Sequence, residues 1–95
     1  MSRGRPNQFD PVVLTHLRDA VRGGATLAEV GDATPEVLDG SLSRRGLNFA
    51  ALRLFRDGAV VRRFEVHGSG KPDDPFVRRY RYWLPEYAPN DVESE

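Results

Sequence analysis

Leu47-Asn48-Phe49-Ala50-Ala51-Leu52-Arg53-Leu54-Phe55-Arg56-Asp57-Gly58-Ala59-Val60-Val61-Arg62-Arg63 is the stretch on which the fold turns. Leu47, Ala51 and Leu54, with Phe55 alongside, recur at the spacing of one helical face, and Asp57-Gly58 ends the pattern. Val60, Arg62, Phe64 and Val66 then alternate with Val61, Arg63, Glu65 and His67, which is the period of a strand. After the turn-forming run Gly68 to Pro75, a returning strand alternates Phe76, Arg78, Tyr80, Tyr82 and Leu84 with Val77, Arg79, Arg81 and Trp83. If Phe64 and Tyr80 share the core face, the opposite face pairs Glu65 with Arg79 and Arg63 with Arg81. Opposed arginines repel, so that arrangement calls for an anion such as a phosphate between them.

Upstream, Asp10-Pro11 reads as the N-cap and first turn of a helix carrying Val13, Leu14, Leu17, Ala20 and Val21, which Gly23-Gly24 stops. Thr26-Leu27-Ala28-Glu29 is a capping box and starts a second helix. Thr34-Pro35 caps either its continuation or a fresh short helix over Glu36 to Asp39. Ser41 or Ser43 caps the third helix, whose reliable part is Asn48 to Arg56. Gly46 lies inside that span and costs about 1 kcal/mol relative to alanine in a helix interior, so either the helix begins later or another surface approaches there. The expected architecture is α+β: a flexible basic arm over 1–9, a domain over 10–85 of three helices followed by a two-stranded antiparallel hairpin, and an acidic disordered tail over 86–95.

Ninety-five residues support one small core, with only about two-thirds of the unfolded chain's surface buried on folding. The absence of cysteine removes disulfides, thiolate catalysis and cysteine-ligated zinc. The N-terminus carries no apolar run of the kind that marks a signal peptide or membrane span, so a soluble, cytoplasmic protein is expected. Formal net charge is zero, but charge is segregated. Between Gly24 and Gly40 the charges are Glu29, Asp32, Glu36 and Asp39, whereas Ser41 to Arg63 carries Arg44, Arg45, Arg53, Arg56, Arg62 and Arg63 against Asp57 alone. Arg78, Arg79 and Arg81 follow, and the tail returns Glu86, Asp91, Glu93 and Glu95. Lys71 is the only lysine. Arginine's planar fork suits phosphates and guanine edges, although a GC-rich genome also favours arginine.

The run Ala51 to Arg63 resembles the end of the recognition helix and the first wing strand of the winged helix-turn-helix regulators. Gly68-Ser69-Gly70-Lys71-Pro72 followed by Tyr80-Arg81-Tyr82 looks like that family's wing tip and return strand, and the resemblance covers most of Asp10 to Leu84. It implies that the third helix enters a major groove while the hairpin contacts backbone or minor groove. Carried over by position, Arg44, Arg45 and Asn48 face DNA at the start of the helix, Arg53 is a further candidate and Lys71 sits at the wing tip; Arg63, Arg79 and Arg81 join the candidates from the hairpin face on which an anion is expected. The acidic stretch Pro35 to Ser43 departs from the family's compact turn and leaves the start of the recognition helix open.

Arg3-Gly4-Arg5-Pro6 matches the core of the AT-hook, in which two arginines lie along a narrow A·T-rich groove. It reads equally as a flexible basic leader making non-specific phosphate contacts. His16 and His67 belong to no spaced ligand cluster, so no metal and no cofactor is expected. Trp83, Tyr80, Tyr82 and Phe64 could stack unpaired bases, but burial in so small a domain explains them more simply.

The resulting expectation is a sequence-specific double-stranded DNA-binding protein, a small prokaryotic or viral transcription regulator, homodimeric by analogy and nucleoid-associated. An excision or packaging factor of a phage would share these features. A second class is a winged-helix interaction module docking a basic partner on Glu29, Asp32, Glu36 and Asp39. An enzyme is not expected, since no nucleophile-base constellation, carboxylate pair or phosphate-cradling loop is present, and neither a small-molecule ligand nor a membrane partner is indicated.

Overall fold

The structure, a computed structural model, describes residues 8–94. Helix α1 spans Phe9–Ala20, strand β1 Ala25–Thr26, α2 Leu27–Asp32, α3 Pro35–Leu38, α4 Arg44–Arg56, β2 Val61–His67 and β3 Val77–Trp83. Among the described residues the fold is α+β, with four α-helices and one antiparallel sheet ordered β1-β3-β2. The β2–β3 hairpin is therefore part of a three-stranded sheet rather than the expected sheet of two strands. Strand β1 has only two residues, too few to show alternation, and it exists because Ala25 pairs with Tyr82 and Thr26 with Arg81.

Helix α1 begins one residue before the expected cap. Gln8 precedes it without a side-chain cap, so Asp10 lies in the first turn, where its charge suits the helix dipole. Phe9, assigned above to the arm, is the first helical residue and packs against the core. The capping box is formed as read: the Glu29 amide donates to Thr26 Oγ1 at 3.2 Å and the Thr26 amide to Glu29 Oε1 at 2.9 Å. Helix α3 is the fresh short helix, separated from α2 at Thr34, whose hydroxyl donates back to the Val30 carbonyl at 2.6 Å.

Helix α4 starts at Arg44, with the Gly46 amide donating to Ser43 Oγ at 3.0 Å. Of the two alternatives open at Gly46, close approach is the one realised, because a Cβ there would stand 2.2 Å from Cζ of Phe9. Leu47, Ala50, Ala51, Leu54 and Phe55 face inward. Leu47, Ala51, Leu54 and Phe55 share a core with Val13 and Leu17 of α1, Val30 of α2, and Val60 and Tyr82 at the base of the sheet. Trp83 is buried, and its Nε1 donates to the Arg22 carbonyl at 2.9 Å. Gly24 allows this packing, since with φ +61° a Cβ there would lie 2.6 Å from the Tyr82 carbonyl oxygen.

The hairpin register is the one expected if Phe64 and Tyr80 share a face, with Phe64 opposite Tyr80, Glu65 opposite Arg79 and Arg63 opposite Arg81. Its outer half extends past the core, so Phe64 is exposed although it shares a face with Tyr80 and meets that ring edge-on at 5.4 Å. The acidic tail also differs from expectation. After a 3-10 turn at Pro85–Tyr87, Glu93 is held on the outer edge of β2 by two backbone hydrogen bonds to Arg62. Backbone pairing and ion pairs do there what apolar content could not. No helix among the described residues is long and apolar enough to cross a membrane.

Candidate functional site

The arginine-rich face of the hairpin carries its own anion. Glu65, between Arg63 and Arg81, accepts from Arg63 Nη2 at 2.8 Å and from Arg81 Nε at 3.2 Å on both oxygens. His67 Nε2 lies 2.9 Å from Glu65 Oε1. Burial by itself would raise this carboxyl's pKa, but the hydrogen bonds from Arg63, His67 and Arg81, together with the charge of Arg81, outweigh it and hold it at about 2. Arg81 reaches further to Glu29 at 3.0 Å, and Arg63 to Asp91 at 3.1 Å. The Glu29 carboxyl is lowered in turn, first by the hydrogen bond from the Thr26 amide and then by Arg81. The anion inferred between the opposed arginines is therefore a side chain of the chain itself, so Arg63 and Arg81 are not open cations.

Two of the candidates on α4 are also engaged. Arg53 turns toward α1 and pairs with Asp10, and Arg44 pairs with Asp32 at 2.7 Å. Both pairs are partly solvated and weak, and they give each guanidinium a carboxylate partner within the chain.

Arg45, Lys71 and Arg79 remain, joined by Arg78, which was not among the candidates; none has a carboxylate within ion-pair distance among the described residues. Arg45 is exposed near the start of α4, its guanidinium 5.9 Å from the Phe49 ring. Asn48, one turn on, enters a groove of about 280 Å³ between α4, the start of α2 and β3, lined also by Ala28, Arg78, Arg79 and Tyr80. A shallower recess lined by Ala28, Asn48 and Arg44 adjoins it. Lys71 stands in the hairpin turn, where the Asp74 amide donates to its carbonyl at 2.9 Å. Arg78 was missed because it shares the Phe64 face, read above as core; the overhang of the hairpin makes that end of the face solvent-accessible.

Arg62, also missed, is held between two rings, its guanidinium carbon 4.0 Å from the Phe55 centroid and 3.9 Å from that of Tyr80. Arg3 and Arg5 lie outside the described residues. Among the described residues no group of three or more His, Cys, Asp or Glu side chains could hold a metal ion. Comparison with protein-family models, with characterised proteins and with solved structures gives no match for this chain.

Proposed function

We propose that the chain is a duplex-DNA-binding domain of winged helix-turn-helix type, with α4 in the major groove and the β2–β3 hairpin on the adjacent backbone. One observation carries this reading: Arg78 and Arg79, which have no carboxylate partner among the described residues, line a groove together with Asn48 where α4 and β3 meet. The winged-helix assignment is supported by α4 running through a tight turn into the hairpin with α1 and α2 packed behind it. Arg45 and Asn48 suit base edges, because arginine pairs with guanine and asparagine with adenine in the major groove. Lys71, Arg78 and Arg79 suit phosphates, which position the domain without reading sequence. The arm's Arg3 and Arg5 would add a minor-groove or phosphate contact. A regulator of prokaryotic or viral type, binding a two-fold site as a dimer, is the role this reading favours.

Selection of binding sites from a random duplex pool tests the proposal. Enrichment of a common site supports it, and retention of duplexes without any shared sequence contradicts sequence-specific readout.

A protein-interaction module is the second reading, favoured by the exposure of Phe49 on α4 and of Phe64 and Val66 on β2. The acidic surface first considered for such a role is largely committed elsewhere. Glu29 bonds Thr26 and Arg81, Asp32 bonds Arg44, and Asp39 Oδ1 accepts from the Ser41 amide at 2.8 Å.

A further inference from the structure

The sheet order leaves β2 as an edge strand, and an edge presents unpaired N–H and C=O groups to any extended segment that reaches it. At Arg62 those groups are taken by the chain itself: the Arg62 amide donates to the Glu93 carbonyl at 3.1 Å, and the Glu93 amide to the Arg62 carbonyl at 2.8 Å. Side chains reinforce the pairing. Glu93 Oε1 accepts from Arg62 Nε at 2.9 Å, while both Asp91 oxygens lie within 3.3 Å of Arg63 Nη1.

The two halves of this contact are unequal. Arg62 is fixed by the Phe55 and Tyr80 rings and its side chain is only 17% exposed, whereas Glu93 and Asp91 are 53% and 67% exposed. The cations belong to the domain, and the anions are the detachable part. Exposed ion pairs of this kind hold weakly and are screened by salt. A duplex offers the same guanidinium groups a denser row of anions, with the fork geometry that arginine prefers.

We propose that the edge of β2 is a docking strip for the chain's own acidic segment Asp91–Glu93, which covers Arg62 and Arg63 in the free protein and is displaced by duplex phosphates. The proposal rests on the DNA-binding reading above and adds a regulation to it. Displacement relieves Arg62 of Glu93 and Arg63 of Asp91, although Arg63 keeps its bond to Glu65, and occupancy of the strip disfavours weak, non-specific complexes. A merely structural strap would behave in the opposite way, since loosening it would leave duplex binding unchanged or weaken it.

The test is the full-length chain carrying Asp91→Asn and Glu93→Gln, which removes the charges and keeps the backbone pairing. Duplex affinity is measured by fluorescence anisotropy at several salt concentrations. The expected result is binding roughly tenfold tighter than the parent near 0.1 M salt, with a salt slope steeper by up to about two units. Independently of any variant, hydrogen exchange on the parent chain should show the Arg62 and Glu93 amides losing protection when duplex is added. A parent that binds duplex together with a variant of equal or lower affinity, or unchanged exchange at these amides in the complex, overturns the docking proposal and leaves the DNA-binding reading standing. If neither parent nor variant binds duplex, both fail.

Discussion

Arg63 and Arg81 face each other across neighbouring strands, and the carboxylate of Glu65 bonds both. Two like charges in directly opposed positions destabilise a hairpin, so the pair is tolerable only with an anion between them. Glu65→Gln removes that anion without changing the side chain's size. Loss of about 2 kcal/mol of unfolding free energy at pH 7 is expected, measured by urea denaturation. Added phosphate should restore part of this in the variant and do little to the parent. Equal stability of variant and parent would contradict the role given to Glu65.

The same carboxylate sets an acid limit. Its pKa is about 2 in the folded chain against an ordinary 4.5, so the stability it contributes is present above about pH 4.5 and is lost as pH falls through about 2. The parent should lose on the order of 2 kcal/mol more than Glu65→Gln between pH 5 and pH 2. Parallel stability curves for the two proteins would rule this out.

Gly46 and Phe9 supply a packing prediction. Glycine to alanine in an exposed helix gains about 1 kcal/mol, but here the added methyl meets the Phe9 ring. Gly46→Ala should therefore destabilise the chain by about 1–3 kcal/mol, and Phe9→Ala in the same chain should make the glycine substitution neutral or favourable. A stabilising Gly46→Ala in the parent background would mean that the helix end and the ring do not touch.

How far the sequence alone reveals such relations depends on their range along the chain. The Thr26–Glu29 capping box spans three residues and is legible directly. The register placing Arg63 opposite Arg81 was legible only conditionally, because alternation assigns faces and the pairing followed from setting Phe64 beside Tyr80. Gly46 could be read only as a choice between a late helix start and a close neighbour, since the neighbour comes from α1. Strand β1 was invisible because two residues carry no period and pair only after β3 has docked. The partners of the arginines were least legible of all. Asp10 reaches Arg53 across 43 positions and Glu93 reaches Arg62 across 31, and no local pattern encodes which cation a distant carboxylate will neutralise.

This division among the arginines has a consequence for binding. Arg53→Ala should lower stability by no more than about 1 kcal/mol and leave the salt dependence of duplex affinity unchanged, because its charge is committed to Asp10. A fall in the salt slope for this variant would show that Arg53 meets phosphate after all.

The most direct measurement is the salt dependence of duplex affinity for the parent and for Arg45→Ala combined with Arg79→Ala, cations of α4 and β3 with no carboxylate partner among the described residues. Loss of the phosphate contact assigned to Arg79 lowers the slope by about one unit, and loss of the base contact assigned to Arg45 weakens binding further, so weaker binding with a slope smaller by about one unit is expected. Affinity and slope identical to the parent's, in a variant that remains folded, would contradict nucleic-acid binding through this surface.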